Sequence, residues 1–147
     1  MLVSRIELFS RIVTMLAGRI TEQAVFGDPE VTTGAGNDLQ QATSIARQMV
    51  TRYGMSRLGP IAFEDENNDN SMLIGYISSN QSDSLGNRID KEVIDILSFC
   101  EQTARQIVLD NRIVIDYIVD KLLDVETLGG EEFREMITEF IPLPAKN

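Results

Sequence analysis

Apolar residues recur at three- and four-residue intervals along most of this chain, a spacing that admits little besides amphipathic helices. Leu39, Ala42, Ala46, Met49, Val50 and Tyr53 form one such stripe and predict a helix over about 38–53. Asn37 is placed to cap it, and Asp38 falls in its first turn, where a carboxylate suits the helix dipole. Gly54 follows where a left-handed residue ends a helix. Ser4-Arg5-Ile6-Glu7 has the spacing of a capping box and opens a helix over 4–16, with Ile6, Phe9, Val13 and Leu16 on one face and a continuation toward Val25. Ile89, Val93, Ile96, Cys100, Ala104 and Ile107 predict a long helix over 89–109, with Glu101 and Arg105 paired on its wet side. Val114, Ile118, Leu122 and Val125, with Tyr117 beside them, predict a helix over 113–125. Phe133, Ile137 and Phe140 predict a last short one over 131–140.

Between these stretches the pattern lapses. Gly27-Asp28-Pro29 is a turn, and residues 31–37, with two glycines, form a loop into the next helix. Residues 55–88 form one irregular insert: Gly59-Pro60 breaks the chain, Ile61-Ala62-Phe63 is a short strand candidate, 64–70 is acidic and asparagine-rich, 72–77 is another strand or a short turn, and 78–87 is a polar loop. The reading is an all-α, compact helical bundle of four to five helices, a single domain over 1–141 followed by a tail over 142–147.

Charge and composition then remove function classes. The 147 residues carry 23 acidic and 13 basic side chains, a net charge of −10. That argues against a dedicated nucleic-acid binder, which shows a basic footprint, and against electrostatic docking on an anionic membrane. No histidine occurs, so a Ser-His-Asp triad, a Cys-His pair and a histidine zinc site cannot be built within these residues. The one cysteine, Cys100, allows no internal disulfide and fits a reducing compartment. No apolar run reaches the length of a membrane span and no leader stands at the start, so the chain itself reads as soluble. Phosphate-binding glycine motifs are absent too.

Few residues invite chemistry on their own. Asp116, Asp120 and Asp124 make a carboxylate row at i, i+4, i+8, which a solvated face explains far better than a metal stripe. Cys100 lies on an apolar face as a small hydrophobe, and Met49 and Met55 are core filler. The Gly34–Gly36 loop precedes a helix, but Asp38 would repel an anion there. Asp38 itself, taken alone, is an aspartate that favours a helix start.

The string Val31-Thr32-Thr33-Gly34-Ala35-Gly36-Asn37-Asp38-Leu39, followed by Ala46-Arg47-Gln48-Met49-Val50-Thr51-Arg52-Tyr53-Gly54-Met55-Ser56, changes the weight on that aspartate. It resembles the protease domain of FtsH-type ATP-dependent zinc metalloproteases, most closely the cyanobacterial and plastid branch. Leu16-Ala17-Gly18-Arg19, Phe26-Gly27-Asp28, Ile89-Asp90-Lys91-Glu92-Val93, Asn111-Arg112, Leu122-Leu123-Asp124-Val125-Glu126-Thr127-Leu128 and Gly130-Glu131-Glu132-Phe133 extend the likeness over essentially the whole chain apart from residues 64–88.

The resemblance implies a zinc held by two histidines of an H-E-x-x-H helix and by an aspartate, whose matching position is Asp38. The glutamate of that motif serves as general base. A carboxylate oxygen binds Zn²⁺ at about 2.0–2.2 Å, and three protein ligands leave a position open for reaction. H-E-x-x-H is absent here. The expectation is therefore the C-terminal portion of such an endopeptidase, acting on membrane proteins, inactive alone, and binding zinc only if a histidine-bearing partner chain or other FtsH-like subunits complete it. An oligomer is expected, on the stromal or cytoplasmic face of a thylakoid or other membrane, which it meets only through partners. The alternative is a non-catalytic helical scaffold descended from that peptidase.

Overall fold

Helix α1, Arg5–Phe26, starts where the capping box places it. The Ser4 hydroxyl accepts from the Glu7 N–H at 3.2 Å, and the Glu7 carboxylate accepts from the Ser4 N–H at 2.6 Å. These hydrogen bonds, the backbone one first, hold the Glu7 carboxyl below its usual range. The structure, a computed structural model, describes residues 2–63 and 82–141. Among them are five α-helices and no strand, so the all-α class holds.

The buried row of α1 is Leu8, Ile12, Leu16 and Ile20, not the expected Ile6-Phe9-Val13-Leu16 face. Ile6 is 78% exposed. Both rows have helical spacing and share Leu16, but only the first runs the full length of a helix that continues to Phe26, and length is what lets it seal against a neighbour.

That neighbour is α2, Gly36–Thr51, the helix in closest contact with α1. Ala42, Ala46, Met49 and Val50 are fully buried along it, as the stripe predicts. Tyr53 is half exposed, because α2 ends at Thr51 and the stripe outruns the helix. The left-handed turn falls on Gly54, at φ +59°. Beyond it the Met55 N–H returns to the Met49 carbonyl at 2.8 Å. Residues 61–63 form no strand; instead the Phe63 N–H donates to the Thr51 carbonyl at 2.6 Å and its ring is buried. The acidic stretch 64–70, the strand or short turn expected over 72–77, residues 78–81 and the tail 142–147 lie outside the described residues.

Helix α3, Ser82–Asp110, begins seven residues before the expected Ile89. Its first two turns are polar, so apolar periodicity has almost nothing to register there. Ile89, Val93, Ile96, Cys100 and Ala104 are buried as expected, whereas Val108 is buried in place of the half-exposed Ile107. Glu101 and Arg105 pair at 3.0 Å.

Backbone contacts divide the chain into a unit of residues 1–106 and a second of 107–147. In the first, Phe9 of α1 meets Phe99 of α3 edge-on, ring centroids 5.7 Å apart. Arg57, just after α2, donates through its backbone N–H and Nε to the buried Glu92 of α3 at 3.1 and 3.0 Å. Its guanidinium also bonds Asp95, which Lys91 reaches at 3.1 Å. Lys91 first and Arg57 after it hold the Asp95 carboxyl below its usual range.

The second unit contains α4, Arg112–Val125, and α5, Gly130–Thr138, each within two residues of its expected bounds. Val114 of α4 and Met136 of α5 are buried, and the Tyr117 and Phe140 rings lie 5.3 Å apart. Phe133 is partly exposed. Glu126 closes α4 in a left-handed conformation, φ +61°, that a glycine would adopt at lower cost.

Burial has a chemical consequence at Cys100. Desolvation pushes its thiol up to about 11 from the unfolded value of 9.0. The fold thus favours the protonated thiol; this contribution is intact below pH 9.0 and is lost as pH rises through about 11. The native chain is expected to resist iodoacetamide at about pH 8.5, while the urea-unfolded chain takes up label at its single thiol. Equal labelling rates in the two states, followed by mass spectrometry, would contradict this burial.

Candidate functional site

The approach to Asp38 is built from short pieces. Gly27, at φ +88°, ends α1 and leads into a 3-10 turn over Asp28–Glu30, then a second over Thr33–Ala35 that runs straight into α2. The cap expected at Asn37 is not made. α2 starts at Gly36 after Ala35, which offers no side-chain cap, and the capping side chain of this segment is Thr32, whose hydroxyl accepts from the Gly34 N–H at 3.2 Å. A 3-10 turn fused to the helix start moves the cap upstream of the position that periodicity alone indicates.

Asp38 lies in the first turn of α2, as expected, with its side chain exposed. Among the described residues its carboxylate makes no hydrogen bond or ion pair. Such an oxygen donor, fixed on a helix and committed to no other group, suits one position around a zinc ion. The rest of a zinc site is not here. Among the described residues no group of three or more His, Cys, Asp or Glu side chains could hold a metal, and the sequence contains no histidine. These residues fit one ligand's share of a centre, and no step of hydrolysis follows from them alone.

A groove of about 360 Å³ between α1, α2 and α3 is reached by Leu39, the residue after Asp38. Leu39 and Thr43 of α2, Leu16 and Ile20 of α1, and Ile94 and Leu97 of α3 line it, with Arg19, Gln23 and Glu101 supplying polar atoms. Ile94 is 61% exposed, a large apolar side chain left in water. Periodicity misses this wall because Ile94 and Leu97 lie off the buried Val93-Ile96 row; their own three-residue spacing is the only signal for them. A wider groove of about 560 Å³ opens elsewhere, where Arg5 and Phe9 face Arg57, Asp95 and Phe99.

The other candidates settle as ordinary structure. Asp116, Asp120 and Asp124 are all exposed on α4, and Asp116 accepts from Arg112 Nε at 2.8 Å. Met49 is fully buried, and Met55 partly so.

The model of peptidase family M41 matches residues 1–136. The chain belongs to that family. An ATP-dependent zinc metalloprotease FtsH of Trieres chinensis is 53% identical over 99% of the chain and 23% of its own length. The ATP-dependent zinc metalloprotease FTSH 6, chloroplastic, of Arabidopsis thaliana is 46% identical over 97% of the chain and 21% of its own length. A bacterial FtsH from Chloroflexus aggregans is 46% identical over 91% of the chain and 21% of its own length. The M41 chain described here thus spans about a fifth of the length of the curated relatives it matches.

Proposed function

We propose that these residues form the part of an FtsH-like zinc endopeptidase that delivers Asp38 as the carboxylate ligand of the metal. The imidazole ligands and the general-base glutamate come from an H-E-x-x-H segment outside the 147 residues. The observation that carries this reading is the exposed carboxylate of Asp38, uncommitted among the described residues, at the start of α2, a helix whose next residue Leu39 lines a groove with Ile94 and Leu97. When bound, zinc supplies the Lewis acidity for peptide hydrolysis. The chain's own part is to hold a carboxylate on a packed helix and to offer the groove as a seat for the histidine-bearing helix. Covering Ile94 and its neighbours removes apolar area from water at roughly 25 cal/mol per Å².

On this reading residues 1–141 act as one domain of a subunit that assembles with FtsH-like partners and degrades membrane proteins fed to it by ATP hydrolysis. The chloroplastic relatives support a place in a plastid, and the proposal puts the subunit at the stromal face of a membrane there. Among the described residues no helix is long and apolar enough to cross a membrane, so contact with the bilayer comes through other segments or subunits.

Zinc titration tests the reading. The chain alone is expected to show no sub-micromolar zinc site and no cleavage of unfolded casein. The complex with its H-E-x-x-H-bearing partner segment is expected to bind zinc tightly and to cleave. Asp38→Ala in that complex removes a ligand itself and should weaken zinc by more than the roughly 10- to 100-fold lost when only an outer-shell partner is removed. Tight zinc binding by the chain alone, or a complex indifferent to Asp38→Ala, would overturn the proposal; the second result would favour a non-catalytic scaffold.

A further inference from the structure

We infer that Glu22 is a positioning residue for Asp38, an inference that rests on the zinc-ligand reading of that aspartate. The first turn of α2 is poorly held from its own side. Gly36, Asn37 and Asp38 are exposed, Ala35 offers no side-chain cap, and the first fully buried side chain is Ala42. What restrains the turn comes from upstream. Glu22 Oε1, near the end of α1, accepts from the Thr32 N–H at 3.2 Å. Thr32 in turn accepts from the Gly34 N–H through its hydroxyl, and the Gly36 N–H donates to the Thr33 carbonyl as the 3-10 turn passes into α2. Each link is one or two residues from the next, so the register of the first turn follows the position of Thr32.

The base of this strut is itself fixed. Ile20, two residues before Glu22, is buried against the core. Gln23 accepts from Arg105 Nη2 of α3 at 3.2 Å and donates through Nε2 to Asp28, which opens the first 3-10 turn. The end of α1 and the segment Asp28–Ala35 are therefore tied at two points, one through Gln23 to Asp28 and one through Glu22 to Thr32. The second point lies closer to Asp38 and meets the backbone directly. A metal ligand must be held within a few tenths of an ångström to keep its affinity, and groups behind the ligand set that precision.

The test uses the zinc-loaded complex of this chain with its H-E-x-x-H-bearing partner, and the chain alone. Zn²⁺ affinity is read by competition with a chromophoric chelator, and backbone order by amide hydrogen exchange. Glu22→Ala is expected to weaken Zn²⁺ by roughly 10- to 100-fold and, in the metal-free chain, to speed exchange from Thr32 to Asp38 while leaving Ala46–Thr51 unchanged. Glu22→Gln keeps an acceptor oxygen and is expected to restore both. Parent-like affinity in Glu22→Ala, with Asp38→Ala weakened, would overturn the role of Glu22 and leave the ligand assignment standing. Affinity indifferent to Asp38→Ala would instead overturn the ligand reading and this inference with it. Equal loss in Glu22→Ala and Glu22→Gln would make the charge, not the hydrogen bond, responsible and would overturn the strut. Faster exchange throughout α2 in Glu22→Ala would mean general destabilisation and would overturn it as well.

Discussion

Gly54→Ala is expected to lower the unfolding free energy by about 3 kcal/mol. Two independent costs meet at this residue. Its φ of +59° is a left-handed conformation that costs an L-residue about 1–2 kcal/mol. A Cβ built there would lie 2.7 Å from Pro60 Cα and 3.0 Å from its carbonyl carbon, both backbone atoms that cannot swing away. The segment Gly54–Pro60 would have to shift, and with it the route that brings Phe63 back to the Thr51 carbonyl. Gly18 is the control. It lies within α1, exposed, with nothing within 4 Å of an added Cβ, so Gly18→Ala should stabilise by about 0.5–1 kcal/mol. Urea denaturation of the three proteins measures both signs. A Gly54→Ala loss below about 0.5 kcal/mol would show that the turn relaxes freely.

Ile12→Ala is expected to cost about 2–5 kcal/mol, because Ile12 is fully buried in the central part of α1 and its removal leaves a cavity between packed helices. Ile6→Ala, on the face that periodicity alone had selected, should stay within about 0.5 kcal/mol, since Ile6 is 78% exposed. The pair distinguishes two faces of one helix by a single measurement. Equal losses at the two positions would mean that α1 is rotated about its axis relative to the arrangement described above.

These two residues also show which parts of the fold could be read in advance. The Ser4–Glu7 box, the left-handed Gly54 and the Glu101–Arg105 pair involve residues at most four apart, or a single residue type with one strong preference, and local chemistry decides them. The buried face of α1 is decided by α2, whose position no local pattern encodes; rows through Ile6 and through Leu8 satisfy helical spacing equally. The polar start of α3 at Ser82 escaped for the opposite reason, because Leu85 alone before Ile89 makes no apolar row. Asp38 is similar. Spacing makes it a residue that suits a helix start and nothing more; the string from Val31 to Leu39 is what raises it to a ligand candidate, through resemblance. The groove wall at Ile94 and the Glu22–Thr32 bond join elements distant in the chain or off the main stripe, and only three-dimensional placement reveals them.

The capping box at Ser4 bears on how α1 can be joined to anything before it. Ser4 is extended, at φ −79° and ψ 162°, and its side chain and backbone N–H are both spent on Glu7. Residues running into Ser4 from upstream must therefore bend away from the helix axis at that point; α1 cannot be the second half of one longer rod. On the function proposed above, an upstream segment carrying histidines would approach the groove lined by Leu39 as a body separate from α1. Its alignment with Asp38 would then be set by side-chain fit in the groove and not by a shared helical phase.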